Sequence, residues 1–404
     1  MMAAAAAAEC GGRVLLIEKM PRVGRKMMIT GKGRCNVTSA DDVPDLIKNI
    51  VGNGRFLNSS IRAFDNADVM AFFEGLGVPL KTERGNRVFP TSDRAADVVD
   101  AMLKYLRDQK VEIRTNAAVS ALIIEHGELC GVRLADDARV EADAVILATG
   151  GASYPATGST GDGYALARTA GHTVTPIFPA LVPLVTQEMW VKDVQGLSLR
   201  NVRASLYHAG KKEQDFFGEM LFTHFGVTGP IILQLSRRAS ELLMSGVKEL
   251  LLRLNLKPAL THEKLRERVD RDFTAYEQKQ LHNGMIDLLP KRLIDPVLRA
   301  AELSPERVVG QISSKERERL VHTLQALPLT IIGTRPIAEA IVTAGGVATR
   351  EIDPRTMESK LVKHLYFVGE LVDVDAYTGG YNLQAAFSMG HAAGCHSVWD
   401  LEGA

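Results

Sequence analysis

Residues 1–10 are dominated by alanine, Gly11-Gly12 breaks that run, and Arg13-Val14-Leu15-Leu16-Ile17 follows at once, ending on Glu18. Consecutive alanines favour helix. A short continuous apolar run bounded by glycine reads as a strand buried on both faces. A helix that delivers the chain into such a strand is the second half of a βαβ unit, which requires a parallel sheet covered by helices. The fold class is therefore α/β, of the doubly wound kind. The first strand of that unit, with its glycine turn, is expected upstream of Met1.

Glu18 sits where a Rossmann unit places an acid to accept hydrogen bonds from a ribose 2′-hydroxyl, roughly 20 residues after the first fingerprint glycine. An exposed glutamate that merely ends a strand is the other reading. The next stretch favours the first: Gly24-Arg25-Lys26, then Gly31-Lys32-Gly33-Arg34-Cys35-Asn36. Glycines let a backbone approach closely and cations supply charge, so this segment can wrap a dianionic pyrophosphate. A mobile basic loop is the plainer alternative, but the segment directly follows the strand that ends in Glu18.

Helical periodicity covers 94–109. Val111–Arg114, Ala118–Glu125, Leu129–Leu134 and Ala144–Ala148 are strand-like and suggest a small meander returning to the main sheet. Residues 198–216 alternate as antiparallel strands, and 261–325 carry charged, periodic helices. The expected organisation is a nucleotide-binding domain (1–185), an insert with a β part (186–258) and a helical part (259–328), and a completing segment (329–404).

Two glycine-rich turns follow strands. Ala148-Thr149-Gly150-Gly151 leads through Gly158-Ser159-Thr160-Gly161-Asp162-Gly163 into a helix from Tyr164, a turn that can aim backbone N–H groups at a ligand or simply connect elements. The C-terminal run is more informative: Leu365–Val368, Gly369-Glu370, then Thr378-Gly379-Gly380-Tyr381-Asn382-Leu383-Gln384 and a helix over Ala385–Gly394. The glycine pair turns the backbone tightly into a helix N-terminus, whose positive end suits an anion forming on a bound ring. Asn382 can cap that helix.

Lys+Arg and Asp+Glu balance at 48 each, which gives no electrostatic reason to expect nucleic acid or an anionic membrane as partner. No apolar run reaches membrane-spanning length. The alanine run lacks the basic residues that precede a signal h-region. Cys10, Cys35, Cys130 and Cys395 are scattered, without C-x-x-C or a metal-like spacing with histidine, so a reducing, cytoplasmic setting is expected, with no disulfide framework and no metal. His224 reads as a structural histidine that could face a substrate, and Cys35 as buried packing.

The ordered set E-K-M-P-R-V-G-R-K (18–26), T-G-K-G-R-C-N-V-T (30–38), A-T-G-G (148–151), T-A-G-G-V (343–347) and Y-F-V-G-E-L-V-D-V-D-A-Y-T-G-G-Y-N-L-Q-A-A (366–386) resembles the bacterial NAD(P)/FAD-dependent oxidoreductases of BaiN or aminoacetone-oxidase type. The likeness spans essentially the whole chain, including G-E-M-L-F-T-H-F-G (218–226). T-G-D-G (160–163) is also similar to the fumarate-reductase and ketosteroid-dehydrogenase branch of flavoproteins. The resemblance implies a doubly wound FAD-binding Rossmann-like domain with an inserted β-barrel-like plus helical domain. It places Glu18, with Lys19 beside it, on the adenosine ribose. Arg25, Lys26 and the turn Gly33, Arg34, Cys35, Asn36 surround the pyrophosphate and ribityl chain. Val119 touches the adenine through its backbone. Thr149, Gly150, Gly369, Glu370, Gly380, Tyr381, Asn382 and Leu383 complete the cofactor set.

The expected activity is hydride or electron transfer between FAD and a small hydrophobic or carbonyl-conjugated metabolite, with NAD(P)H or oxygen as redox partner. A nicotinamide-only dehydrogenase leaves G-R-C-N and T-G-G-Y-N-L-Q without a task. A flavin-free binding module is the non-enzymatic alternative.

Overall fold

The computed structural model describes residues 1–402 and comprises two compact units, one formed by Met1–Phe178 with the stretch from Ile337, the other by Pro179–Pro336.

In the first unit the alanine run is the helix Met2–Glu9, with Met2 and Ala3–Ala7 all buried. It lies along the C-terminal helix Tyr381–Glu402, where a Cβ on Gly394 would sit 2.4 Å from the Ala3 carbonyl oxygen and one on Gly390 3.2 Å from the Ala3 nitrogen. Small residues on both helices allow this spacing, which explains a run of alanines better than helix propensity does. The strand after it, Leu15–Ile17, pairs in parallel with Glu112–Arg114, and Val145–Leu147 pairs in parallel with Leu365–Phe367. The parallel sheet thus exists as two separate pairs, with no strand among the described residues hydrogen-bonded between them.

Two details differ from the sequence expectation. Residues 111–114 contribute to a parallel pair, and the meander is built instead from Val119–Glu125, Glu128–Leu134 and Arg139–Glu141. A second small sheet, ordered Thr38–Ser39, Arg87–Pro90, Leu80–Glu83, lies close to the basic turn. Helix Ala95–Asp108 matches its period: Ala95, Val98, Val99, Met102 and Leu106 are the buried face.

The second unit is a closed six-stranded barrel in the order Leu184–Thr186, Gly226–Thr228, Lys211–Phe222, Ser198–His208, Leu250–Asn255, Leu327–Thr334. Leu184, Leu206, Phe222, Leu252, Leu329 and Ile331 are fully buried in its core, beneath helix Pro230–Met244. Helices His262–Ala275, Lys291–Ala300 and Ser314–Gln325 form the helical part. The seams fall at 178/179 and 336/337, whereas the sequence suggested 185/186 and 328/329. Those positions lie inside the strands that close the barrel, where Leu184 pairs with Thr334. A strand has no partner until the ring is closed, so both remain with the insert. Among the described residues no helix is long and apolar enough to cross a membrane.

Candidate functional site

The turn between Gly150 and Gly163 is the hub of the first unit. A Cβ on Gly151 would stand 2.3 Å from Thr343 Oγ1, and one on Gly163 2.0 Å from Thr149 Oγ1, so glycine alone lets these segments meet. Thr343 Oγ1 accepts from the Ala152 and Ser153 amides at 2.9 and 3.1 Å. This binds A-T-G-G to T-A-G-G-V.

Ser153, Thr343 and Lys26 then close around one carboxylate, that of Glu370. Lys26 Nζ lies 2.5 Å from Glu370 Oε2 and donates to Ser153 Oγ at 2.8 Å. Ser153 Oγ donates to Glu370 Oε1 at 2.9 Å, and the Thr343 amide donates to the same oxygen at 2.7 Å. Such charge-assisted bonds are stronger than neutral ones and hold the carboxylate in one orientation. Gly369 reaches this position with φ 70°, a conformation glycine adopts without strain.

The same turn receives the end of the first strand. Lys19 Nζ donates to Thr160 Oγ1 and Asp162 Oδ2, and Arg25 donates to the Ala156 carbonyl at 3.0 Å. Glu18 Oε1 accepts from the Met20 amide at 2.8 Å, and it would lie 3.6 Å from a Cβ on Gly158. Glu18, Lys19, Arg25, Lys26, Thr149, Gly150, Gly369 and Glu370 therefore gather about one loop. Ser153 and Thr343 were not singled out from the sequence. T-A-G-G-V was the available signal, since its threonine precedes a glycine pair.

The basic turn and the C-terminal motif form a second contact. Gly380, at φ 101°, packs so closely on the strand Thr38–Ser39 that a Cβ would fall 2.3 Å from the Thr38 carbonyl carbon. Thr38 Oγ1 donates to Gln384 Oε1 at 2.6 Å, deep in the unit. Tyr381 donates its hydroxyl to Asp41 Oδ2 at 2.6 Å. Burial and then that carboxylate push the phenol up to about 12. Asn382 grips the preceding loop, accepting from the Ala376 amide at 3.0 Å and donating to the Ala376 carbonyl at 2.9 Å. Leu383 packs against the core beside Cys35 and Val37.

Within the basic turn the side chains diverge. Arg34 turns to protein partners: Asp93 Oδ1 at 2.7 Å, Glu83, and the face of Phe89 at 4.0 Å. Cys35 is fully buried, and burial pushes its thiol up to about 11, so it is an inert thiol rather than a nucleophile. Asn36 is the exception. Its Oδ1 is buried with no hydrogen-bond partner, a costly state that a ligand donor would relieve. Val119 opens the meander, opposite Leu134. His224 is exposed at the tip of a hairpin of the other unit, edge-on to Phe225 at 4.9 Å between centroids.

The model of the HI0933-like protein Rossmann domain matches residues 1–396. The chain belongs to that family. A 3-dehydro-bile acid delta(4,6)-reductase of Clostridium scindens is 34% identical over 396 residues, 98% of this chain and 95% of the relative. A ribosomal RNA dihydrouridine synthase of Escherichia coli is 29% identical over 97% of this chain and 94% of that protein. In fold, the chain resembles the open conformation of a flavocytochrome c3 fumarate reductase, with TM-score 0.53, 16% identity, and 98% of this chain against 76% of that one. The family member is a flavin-dependent oxidoreductase with a Rossmann-type FAD-binding domain, and FAD is its cofactor. The residues present fit that cofactor. Asn36 Oδ1 lacks a donor, and ribityl hydroxyls and the flavin N3–H are donors.

Proposed function

We propose that this flavoprotein reduces a carbon–carbon double bond conjugated to a carbonyl, in a small hydrophobic molecule, using NAD(P)H. The observation that carries the reading is the full-length likeness to a reductase named for the Δ4,6 positions of a 3-dehydro bile acid. The dihydrouridine synthases add support, because the uracil bond lost in dihydrouridine is also conjugated to a carbonyl. Balanced charge favours the small molecule over RNA, since phosphate binding rests on clustered excess cation. Four free cysteines suit a cytoplasmic setting.

Bound flavin supplies the hydride. The protein's part is to hold and orient. In this reading Glu18 and Lys19 take the adenosine ribose and the backbone of Val119 the adenine. Arg25, Lys26 and the backbone of Gly33–Asn36 take the pyrophosphate and ribityl chain. Thr149, Gly150, Gly369, Glu370 and Gly380–Leu383 take the ribityl and ring end. Lys26 would trade one of its two side-chain partners, Ser153 or Glu370, for a cofactor oxygen. The neutral, buried Cys35 thiol takes no part in proton transfer.

The test is NADPH or NADH consumption by the FAD-loaded protein, offered 3-keto-Δ4 or Δ4,6 steroids and, separately, uridine-containing RNA. Turnover of the enones with loss of their conjugated absorbance supports the proposal. Dihydrouridine formation without enone turnover replaces it with the RNA reading.

A further inference from the structure

In the helical part of the second unit, two helices bring three metal-type side chains to one point. His262 is the first residue of helix His262–Ala275, and Glu318 and His322 lie one turn apart on helix Ser314–Gln325, hence on one face. His262 Nε2 is 2.6 Å from Glu318 Oε1, and His322 Nε2 is 3.3 Å from the same oxygen. One ligand atom from each of the three lies within 4.8 Å of the others.

Surrounding bonds orient the donors. His262 Nδ1 lies 3.0 Å from Gln325 Oε1, an oxygen that can only accept, so Nδ1 carries a proton, while Nε2 donates to the Glu318 carboxylate in the metal-free protein and offers its lone pair once a metal ion displaces that proton. Glu318 Oε2 accepts from Arg266 at 2.7 Å, and Arg266 is itself fixed by Ser314 Oγ at 2.8 Å. That leaves Glu318 Oε1 directed at both imidazoles. A ligand histidine whose second nitrogen donates to an oxygen, beside a ligand carboxylate that is itself hydrogen-bonded, is how metal sites fix tautomer and aim.

We propose that His262, Glu318 and His322 bind one zinc-class divalent ion, which clasps the two helices. Imidazole with a single carboxylate suits zinc and excludes calcium and magnesium, which need mostly oxygen ligands. Ligand bonds of about 2.0–2.2 Å in a tetrahedron put donor atoms roughly 3.3 Å apart. The His322–Glu318 pair stands at that separation, and the His262–Glu318 pair needs only a small opening. Side-chain exposures of 31%, 32% and 69% leave an entry path and room for water as a fourth ligand. All three residues belong to the unit Pro179–Pro336.

The experiment is calorimetric titration of the chelator-treated full chain with zinc chloride, alongside thermal melts with and without zinc. The expected result is one ion per chain and a zinc-dependent rise in melting temperature. Both should be lost in His322→Ala. Gln325→Ala keeps all three ligands and should weaken binding roughly 10–100-fold, because only the orienting bond is removed. His126→Ala, at an exposed histidine elsewhere, should bind as the parent does. No zinc uptake, or uptake unchanged in both His322→Ala and Gln325→Ala, overturns the site and leaves a hydrogen-bonded ion pair.

Discussion

Lys26 and Glu370 stand 344 residues apart in the chain and meet at 2.5 Å, bridged by Ser153 on one side and anchored by the Thr343 amide on the other. The pair joins the segment after the first strand to the end of the last. It ties together stretches that resemble cofactor-binding motifs and have no sequence proximity.

The first prediction concerns that pair. Both partners are only partly exposed, at 26% and 17%, so removing one strands the other in a poorly hydrated place. Lys26→Met and Glu370→Gln should each weaken FAD binding roughly 10–100-fold, as loss of a charge-assisted bond worth about 1.5–3 kcal/mol implies. The double variant should be little worse than either single one. Arg34→Ala should cost less, because its guanidinium is already occupied by Glu83, Asp93 and Phe89. Quenching of flavin fluorescence in titrations reads all four. Additive losses at Lys26 and Glu370 would separate their roles.

The second prediction concerns Gly380. Any side chain there meets the Thr38 backbone at 2.3 Å and also pays for φ 101°. Backbone cannot swing aside as a side chain can. Gly380→Ala should destabilise the first unit by about 1–3 kcal/mol or more and reduce flavin content. Asn382→Ala, which frees a loop without a clash, should do less. Limited proteolysis should show Pro179–Pro336 still protected in both variants. Equal flavin content in Gly380→Ala and the parent would refute the required close approach.

Much of this was legible in the sequence where a period or a special residue carried it. Ala95–Asp108 shows its buried face at clean helical spacing, and the strand-like alternation of 198–216 survives in the barrel. Glycine pairs at 150–151 and 379–380 mark close approaches because only glycine fits. Thr38–Ser39, by contrast, is a two-residue strand with no period to read, yet it seats the C-terminal helix. Ser153 and Thr343 are small polar residues whose role exists only once distant turns meet. The barrel's closing strands look like any short apolar run, so the sequence alone puts the seams inside them. Glu318 and His322 are spaced for one helix face, but His262 lies 56 residues before Glu318, and only the fold joins them.

A third prediction follows from the divided parallel sheet. Leu15–Ile17 is only partly buried and pairs on one side, whereas Leu365–Phe367 is fully buried. Local opening is easiest where few apolar contacts cover the backbone. Hydrogen exchange by mass spectrometry should show peptides over 14–18 exchanging roughly tenfold or more faster than those over 364–368. Equal protection would mean that the two pairs open together.

The last prediction is a pH dependence set by two histidines of the first unit, one buried and one half-buried. His172 is 4% exposed, with Nε2 2.8 Å from Ser359 Oγ and its ring edge-on to Phe367. His391 stacks on Phe64, at 4.3 Å and 6° between planes. Burial holds both rings below the usual histidine value of about 6.5, against the pull of Glu351 on the first and of Glu9 and Asp68 on the second. A lowered folded pKa means that the unfolded chain binds more protons between the two values, so stability rises with pH there. It is fully present above about 6.5 and is lost as pH falls from there to the folded values. These two rings should therefore lower the urea midpoint as the pH falls between 6.5 and 5.5. His391→Phe keeps an aromatic face against Phe64 and removes one proton site, so its midpoint should fall less steeply across the same interval. A slope identical to the parent's would show that His391 does not resist protonation, and that the acid sensitivity lies elsewhere.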